Sequence, residues 1–483
     1  MKNSELNIIK NIFISVGENR LRLAQIYFDQ SISEIKFFSD SVEWEDVNTD
    51  EKKKFFVNRY NSDNEAIRNV IDGKFNVLIP GGIDPHVHFN TPGFEEREDF
   101  QHASTAAAFG GVTTIIDMPC TSLPPVTSVN NLEIKLDALK GKSVIDFAFW
   151  GGVSRNDIEN KINIQNQINS LSEAGVAGFK AYLISGMKTF KDVNIEQMKY
   201  IAEFIASTGK PLGVHAEDKF LVESRRLRFQ ETNRNTWRQY CLARDVLTEE
   251  KAVKEMIEIS KLTGVKTHIV HLSSKLGLDL ISEAQKNAIA ITSETCPHYL
   301  YFTQEDFLNE DISAFLKTAP PVKFEEDKIA LWNGLADGTL NFLVTDHAGS
   351  IPERDKSSEN FWNVYGGIPG VEHRIPFLFS EGFLKSKLSL EQTINLLSTN
   401  AADFFKLKNK GKLEKGFDAD FALINLWNSD MIKASNMHSK GKHTPFEGVE
   451  FNSTVEKTWL RGNLVADRNT DIETIFGGEF ISV

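Results

Sequence analysis

Residues 81–89 read GGIDPHVHF, an apolar run that ends in two histidines and precedes a segment of helical period. The same unit, an apolar run with a polar end followed by a helix-like stretch, recurs along the chain. Its eight apolar runs are IDPHVH (83–88), TTIIDM (113–118), DFAFW (146–150), AGFKAYL (177–183), LGVHA (212–216), THIVHL (267–272), AIAITSE (288–294) and NFLVT (341–345). Eight successive β/α units predict an α/β fold whose parallel strands close into a (β/α)8 TIM-type barrel.

Short β-like runs also lie at both ends of the chain. NIFISV and EIKFF precede the barrel units, whereas FALINL and TVEKTWLRGNLVAD follow them. Neither end is large enough to bury a core of its own, so we expect the two ends to pack together as a small β-sandwich beside the barrel. The predicted organisation places residues 1–79 and 410–483 in the sandwich and residues 80–409 in the barrel.

Composition excludes several classes of protein. The 483 residues carry a net charge of -13, which disfavours binding to a nucleic-acid backbone. The three cysteines have no paired spacing, which fits a reducing compartment. No segment approaches the ~18 uninterrupted apolar residues of a membrane span, and polar residues interrupt the N-terminal stretch where a signal core would lie. We therefore expect a cytoplasmic protein that binds neither nucleic acid nor membrane.

Histidines and an aspartate mark the ends of the predicted strands. His86 and His88 are two residues apart, so on a strand their imidazoles leave the same face and suit a divalent metal. Such a pair alone also occurs among ordinary core and surface histidines. However, His215, His271 and Asp346 end three further runs, and barrel enzymes assemble their sites at the C-terminal ends of strands. The pattern predicts one metal site built from several strands.

Two further residues on these runs need a choice between roles. His268 and His271 are three apart on one strand and face opposite sides, and His271 is nearer the catalytic end. We therefore take His271 as the ligand and His268 as structural. Lys180 is the only cation on its run, and a lysine inside a barrel is costly unless it is neutralised or used. It either pairs with a neighbouring acid or becomes a carbamate that bridges two metals.

Several strings together resemble one enzyme family, the cyclic amidohydrolases that include dihydroorotases, allantoinases and hydantoinases. The strings occur in the family's order along the barrel and both ends: GGIDPHVHF, GFKAYL, GVHAED, HIVHLSS, TCPHYL, TDHAG, GGIPGVE, TPFEG and WLRGNLVAD. The resemblance implies a hydrolase that opens a cyclic amide by attack of a metal-bridging hydroxide. It also implies two divalent metal ions, with zinc the expected metal, and a homo-oligomer, either a dimer or a tetramer.

The resemblance assigns roles to six positions. One metal is held by a first pair of histidines together with an aspartate, the other by a second pair, and a carboxylated lysine bridges them. In this sequence those ligands are His86, His88, Asp346, His215, His271 and Lys180. Asp346 is also the implied general base, which later protonates the leaving nitrogen.

Positions at which this sequence differs from dihydroorotases indicate which ring the enzyme opens. Dihydroorotases hold a substrate carboxylate with an arginine, but this sequence has Asn90 at that position. Ser122 before a Pro-Pro pair and Ala319 in KTAPP instead resemble allantoinases. Allantoin or a related ureide is therefore the predicted substrate. Dihydroorotase or hydantoinase/dihydropyrimidinase activity is the alternative, and a catalytically silent scaffold is the non-enzyme alternative.

Two more residues are predicted to contact the substrate. His298 in TCPHYL has a pocket position by resemblance, although a buried structural histidine is the alternative. Gly367 lies in the glycine-rich GGIPG segment, where backbone groups can approach a ring amide, although a packed loop is the alternative. The predicted substrate contacts are Asn90, Ser122, His298, Ala319 and Gly367.

Overall fold

A computed structural model of the chain describes residues 6–60 and 70–483. Residues 1–5 and 61–69 of the predicted N-terminal unit lie outside this description. The strands in chain order are β1 (Asn7–Ser15), β2 (Arg20–Phe28), β3 (Ile32–Phe37), β4 (Val42–Glu43), β5 (Val70–Pro80), β6 (Gly82–His88), β7 (Val112–Asp117), β8 (Asp146–Gly152), β9 (Gly178–Tyr182), β10 (Leu212–His215), β11 (Thr267–Ile269), β12 (Ile291–Thr295), β13 (Phe342–Leu343), β14 (His347–Ala348), β15 (Phe421–Asn425), β16 (Asp430–Met431), β17 (Glu450–Phe451), β18 (Thr454–Leu460) and β19 (Asn463–Asp467).

The helices are numbered in chain order, and they follow most of the barrel strands. They are α1 (Asp50–Tyr60), α2 (Phe100–Phe109), α3 (Val129–Leu139), α4 (Arg155–Glu159), α5 (Ile164–Glu173), α6 (Ile195–Thr208), α7 (Lys219–Glu231), α8 (Trp237–Ala243), α9 (Val246–Thr263), α10 (Lys275–Lys286), α11 (Pro297–Tyr301), α12 (Glu310–Ser313), α13 (Glu325–Asp337), α14 (Pro352–Asp355), α15 (Arg374–Phe377), α16 (Leu390–Ile394) and α17 (Asn400–Phe405). Within the described ranges, none of them has the length and apolar character needed to cross a membrane.

The barrel is a closed ring of parallel strands. β6 to β13 pair in sequence, and β14 returns to pair with β6, so the short strands on either side of Asp346 close the ring. Every residue of β6, β7 and β8 is buried. Strands covered on both faces read as unbroken apolar runs, which is why the sequence pattern identified them. The predicted (β/α)8 barrel is confirmed.

The two chain ends form one sheet of eight strands, in the order β19, β18, β15, β5, β1, β2 and β3, with β4 paired to β2. Two strands lie between β2 and β15 in this order, yet the Phe28 and Phe421 ring centroids are 5.2 Å apart. The sheet therefore curls until its halves face each other over a small core that includes Ile26 and Trp459. The expected sandwich from both chain ends is confirmed as one continuous curled sheet.

Chain direction places the candidate ligands at one end of the barrel. β5 of the curled sheet ends at Pro80 and β6 of the barrel begins at Gly82. The predicted domain boundaries, between residues 79 and 80 and between residues 409 and 410, remain a proposal. Because all barrel strands are parallel, their C-terminal ends meet at one face, where polar side chains that end different strands come together.

Candidate functional site

A cavity of about 600 Å³ opens at the C-terminal face of the barrel. This volume lies within the ~300–1,000 Å³ that is usual for small-molecule sites. Five of the six predicted ligands line it, and these are His86, His88, His215, His271 and Asp346. The sixth, Lys180, lies on β9 with a fully buried side chain.

The first pair of histidines surrounds the Asp346 carboxylate. Oδ1 of Asp346 is 3.1 Å from Nε2 of His86 and 3.1 Å from Nε2 of His88. One potential ligand atom from each residue lies within 4.8 Å of the others, close enough for one metal ion. Burial raises the pKa of the Asp346 carboxyl, but His86 and His88 outweigh burial and keep that pKa well below its ordinary value. Asp346 is therefore an anion, as a ligand or a proton acceptor must be.

The second pair of histidines lies across the same cavity. Nδ1 of His215 is 3.0 Å from Nε2 of His271, and the His271 ring centroid is 5.4 Å from that of His86. Burial lowers the pKa of both His215 and His271 below the ordinary value, so both imidazoles are neutral. Nδ1 of His271 is buried and has no hydrogen-bond partner among the described residues. Neutral, converging imidazoles are what a metal ion requires.

Lys180 contributes a buried amine whose charge acts on His215 and His271. Its Nζ is buried without a hydrogen-bond partner in the described part of the chain and lies 4.9 Å from the centroid of the Tyr182 ring, so the ion pair that was the alternative role is not formed there. Burial lowers the pKa of the Lys180 amine to about 8, although Glu294 opposes the shift. A buried amine without a hydrogen bond is costly, so this position fits a group that is modified or liganded.

Two carboxylates that the sequence pattern did not single out hold the histidines in place. Glu294, at the end of β12, contacts Nδ1 of His86 and accepts from Nε2 of His268 at 3.0 Å. Glu217 contacts Nε2 of His215 at 2.8 Å and pairs with Arg244. Each contact occupies one ring nitrogen, and the other lies 3.1 Å from Asp346 in His86 and 3.0 Å from His271 in His215, the arrangement that supports metal-binding histidines. The only signal for them in the sequence was their position, since Glu294 ends its apolar run and Glu217 directly follows LGVHA.

The backbone at two predicted ligands is strained. His271 has φ 39° and Asp346 has φ 51°, a left-handed conformation that residues with a side chain rarely adopt. Such conformations cost of order 1–3 kcal/mol and persist only where the surroundings enforce them, often at active sites. The strain therefore supports a functional role for both positions.

The predicted substrate contacts separate into two groups. Ala319 and Gly367 line the cavity, whereas Asn90, Ser122 and His298 are not among its lining residues. Asn90 and His298 are buried outside the wall. The Ser122 hydroxyl accepts a hydrogen bond from Nζ of the fully buried Lys135 at 2.7 Å. Contact of all five residues with substrate stays a prediction.

Arginines reach the cavity from elements that the strand-end pattern does not include. Arg226 on α7 and Arg244 after α8 line its wall, and each pairs with a glutamate, Glu223 and Glu217 respectively. Position 90 carries no arginine, as the sequence shows, but the cavity as a whole does contain cations. Because each of these cations is already paired, neither is a free clamp for a substrate carboxylate.

Comparisons with known proteins place the chain among cyclic-amide enzymes. The model of the Amidohydrolase family matches residues 77–465. An allantoinase of Rubrobacter xylanophilus is 34% identical over 399 residues, covering 82% of this chain and 86% of the relative. An allantoinase of Enterococcus faecalis is 33% identical over 422 residues, covering 85% and 90%. The solved L-hydantoinase (dihydropyrimidinase) of Arthrobacter aurescens has a TM-score of 0.86 at 26% identity, covering 99% of this chain and 100% of that one.

Proposed function

The chain belongs to the amidohydrolase family, and from this premise we propose that it is a metal-dependent hydrolase that opens a cyclic amide, with allantoin the preferred substrate. One observation carries the proposal: six residues from five different parts of the barrel wall converge at the C-terminal face as two imidazole pairs, a carboxylate and a buried amine. A scaffold protein has no need to bury this set of polar groups together.

The donor set fits two divalent ions. Imidazole and carboxylate ligands suit zinc, manganese, iron or cobalt, and we propose that both ions are zinc. One ion is assigned to the first histidine pair with Asp346 and the other to the second pair. The proposed ligands are His86, His88, Lys180, His215, His271 and Asp346.

Lys180 is proposed to act as a carbamate. Its lowered pKa makes the neutral amine accessible near pH 8. The amine attacks carbon dioxide, an N–C bond forms and one proton is released, which leaves an anion with two oxygens. An anionic group between two cations removes the cost of the buried, unpaired amine.

The chemistry is hydrolysis of a ring C–N bond. When bound, the two ions lower the pKa of water and polarise the ring carbonyl. Asp346 accepts a proton from the attacking water at its carboxylate and delivers it to the leaving ring nitrogen. The new C–O bond and the broken C–N bond convert the cyclic amide into an acid with a free nitrogen end. Glu294 and Glu217 keep His86 and His215 oriented throughout.

Allantoin is favoured over its alternatives by two findings. The allantoinases of Rubrobacter xylanophilus and Enterococcus faecalis are 34% and 33% identical to this chain, whereas the L-hydantoinase of Arthrobacter aurescens is 26% identical. Asn90 also replaces the arginine that a dihydroorotate carboxylate would need. We further propose a cytoplasmic homo-oligomer, a dimer or tetramer, that acts on a small molecule.

A substrate panel tests this assignment. We expect the metal-loaded protein to hydrolyse allantoin with a kcat/KM at least about tenfold above those for hydantoin, dihydrouracil and dihydroorotate, because a site built for polar groups discriminates strongly against analogues that lack them. Initial rates of ring opening at several substrate concentrations give these ratios. Preference for dihydroorotate would overturn the substrate assignment, and turnover of none of the four would overturn the hydrolase assignment.

A further inference from the structure

The cavity is larger than a single five-membered ring requires. Its volume of about 600 Å³ lies within the ~300–1,000 Å³ of pockets that hold drug-sized ligands. The proposed metal ligands form one part of its wall, whereas α7 contributes another. A ring held at the metal ligands therefore leaves space for a substituent elsewhere in the cavity.

Three polar side chains of α7 line this same cavity and are joined to one another. Glu223, Arg226 and Gln230 are spaced i, i+3 and i+7, so they share one helix face. Nε of Arg226 donates to Oε2 of Glu223 at 3.1 Å, and Nη1 of Arg226 donates to Oε1 of Gln230 at 3.1 Å. The arginine thus fixes the orientation of the other two side chains; we call the three the α7 triad.

The triad keeps one acceptor and one donor available. In the described part of the chain, no hydrogen bond engages Oε1 of Glu223 or the amide Nε2 of Gln230. A ureido group has the complementary pattern, because its N–H groups donate and its carbonyl accepts. An apolar substituent would instead desolvate these polar groups without replacing their hydrogen bonds with water.

We propose that Glu223, Arg226 and Gln230 form a subsite for the ureido substituent of the substrate, and so select a ureido-bearing ring over rings with a hydrogen or an alkyl group at that position. This inference rests on the proposed cyclic-amide hydrolysis. The triad contacts the substituent and takes no part in bond breaking.

Substitution of Arg226 separates this role from general catalysis. In Arg226→Met, which keeps the aliphatic stem, we expect kcat/KM for allantoin to fall about 10- to 100-fold, because Glu223 and Gln230 lose the side chain that orients their free groups toward the ureido substituent. The value for unsubstituted hydantoin should stay within about twofold, because that ring has no group to reach α7. Gln230→Leu should show the same selective loss. Arg228→Met is the matched control, an exposed arginine of α7 outside the cavity, and should change neither value.

Four outcomes would overturn the inference. Equal losses for allantoin and hydantoin would show that α7 supports the whole site and not the substituent. An unchanged allantoin value in both variants, with unchanged thermal unfolding midpoints, would show no contact. Wild-type preference for 5-methylhydantoin over allantoin would reject ureido selection while leaving cyclic-amide hydrolysis intact. Turnover of no cyclic amide by the wild type would overturn both the proposed function and this inference.

Discussion

Lys180→Ala lowers kcat/KM for the preferred cyclic amide by about 10³-fold or more, because it removes the group proposed to bridge both ions. The side chain is fully buried, and its amine has no hydrogen-bond partner among the described residues. Initial-rate measurements on wild type and variant, each reconstituted with the same metal, provide the comparison.

A control variant and a chemical rescue test whether the loss of activity is specific to Lys180. Lys266→Ala, an exposed lysine before β11 at the other end of the barrel, should keep full activity. Short carboxylic acids such as acetate or propionate should partly restore turnover in Lys180→Ala, because they supply a carboxylate in the space left by the side chain. Unchanged turnover in Lys180→Ala would reject the carbamate role.

Asp346→Asn should lower kcat by about 10²- to 10⁴-fold, the usual contribution of a positioned acid or base. An amide of the same shape keeps the packing but cannot accept the proton of the attacking water, and it is a weaker metal ligand. The contacts at 3.1 Å to His86 and His88 place this oxygen at the centre of the first ligand group. Steady-state kcat of the metal-reconstituted variant at saturating substrate measures the loss.

Asp355→Asn is the matched control for the Asp346 substitution. Asp355 ends the nearby helix α14 and pairs with Arg97 and Arg354, but it is not among the residues that line the cavity. We expect its kcat to stay close to wild type. A kcat for Asp346→Asn within about tenfold of wild type would remove Asp346 from the proton transfer.

The barrel could be predicted because each of its strands leaves a local signal in the sequence. A parallel strand covered on both faces is an apolar run of a few residues, and β6, β7 and β8 show this burial throughout. Strand direction then brings the polar ends of successive runs to one face, which is why the sequence alone allows His86, His215 and Asp346 to be grouped. Predicting the curled sheet required one further inference, that the two chain ends pack together because neither is large enough to bury a core alone.

The supporting contacts could not be predicted because they depend on barrel closure. Glu294 is 208 residues from His86, and only the curvature of the ring places their side chains together. The contact of Ser122 was missed for another reason, because Lys135 is only 13 residues away on α3 but nothing in its spacing shows that this cation is fully buried. The cavity wall from α7 was also missed, since half-exposed charged residues on a helix usually indicate nothing more than a solvated face.

The central claim is a two-metal centre built by these six residues, and metal analysis of the purified wild-type chain tests it most directly. We expect about two equivalents of divalent metal per chain, together with an added carbon dioxide on Lys180 in the mass of the protein kept under native conditions. A chain that binds no divalent metal when metal is supplied, with an unmodified Lys180, would contradict the account.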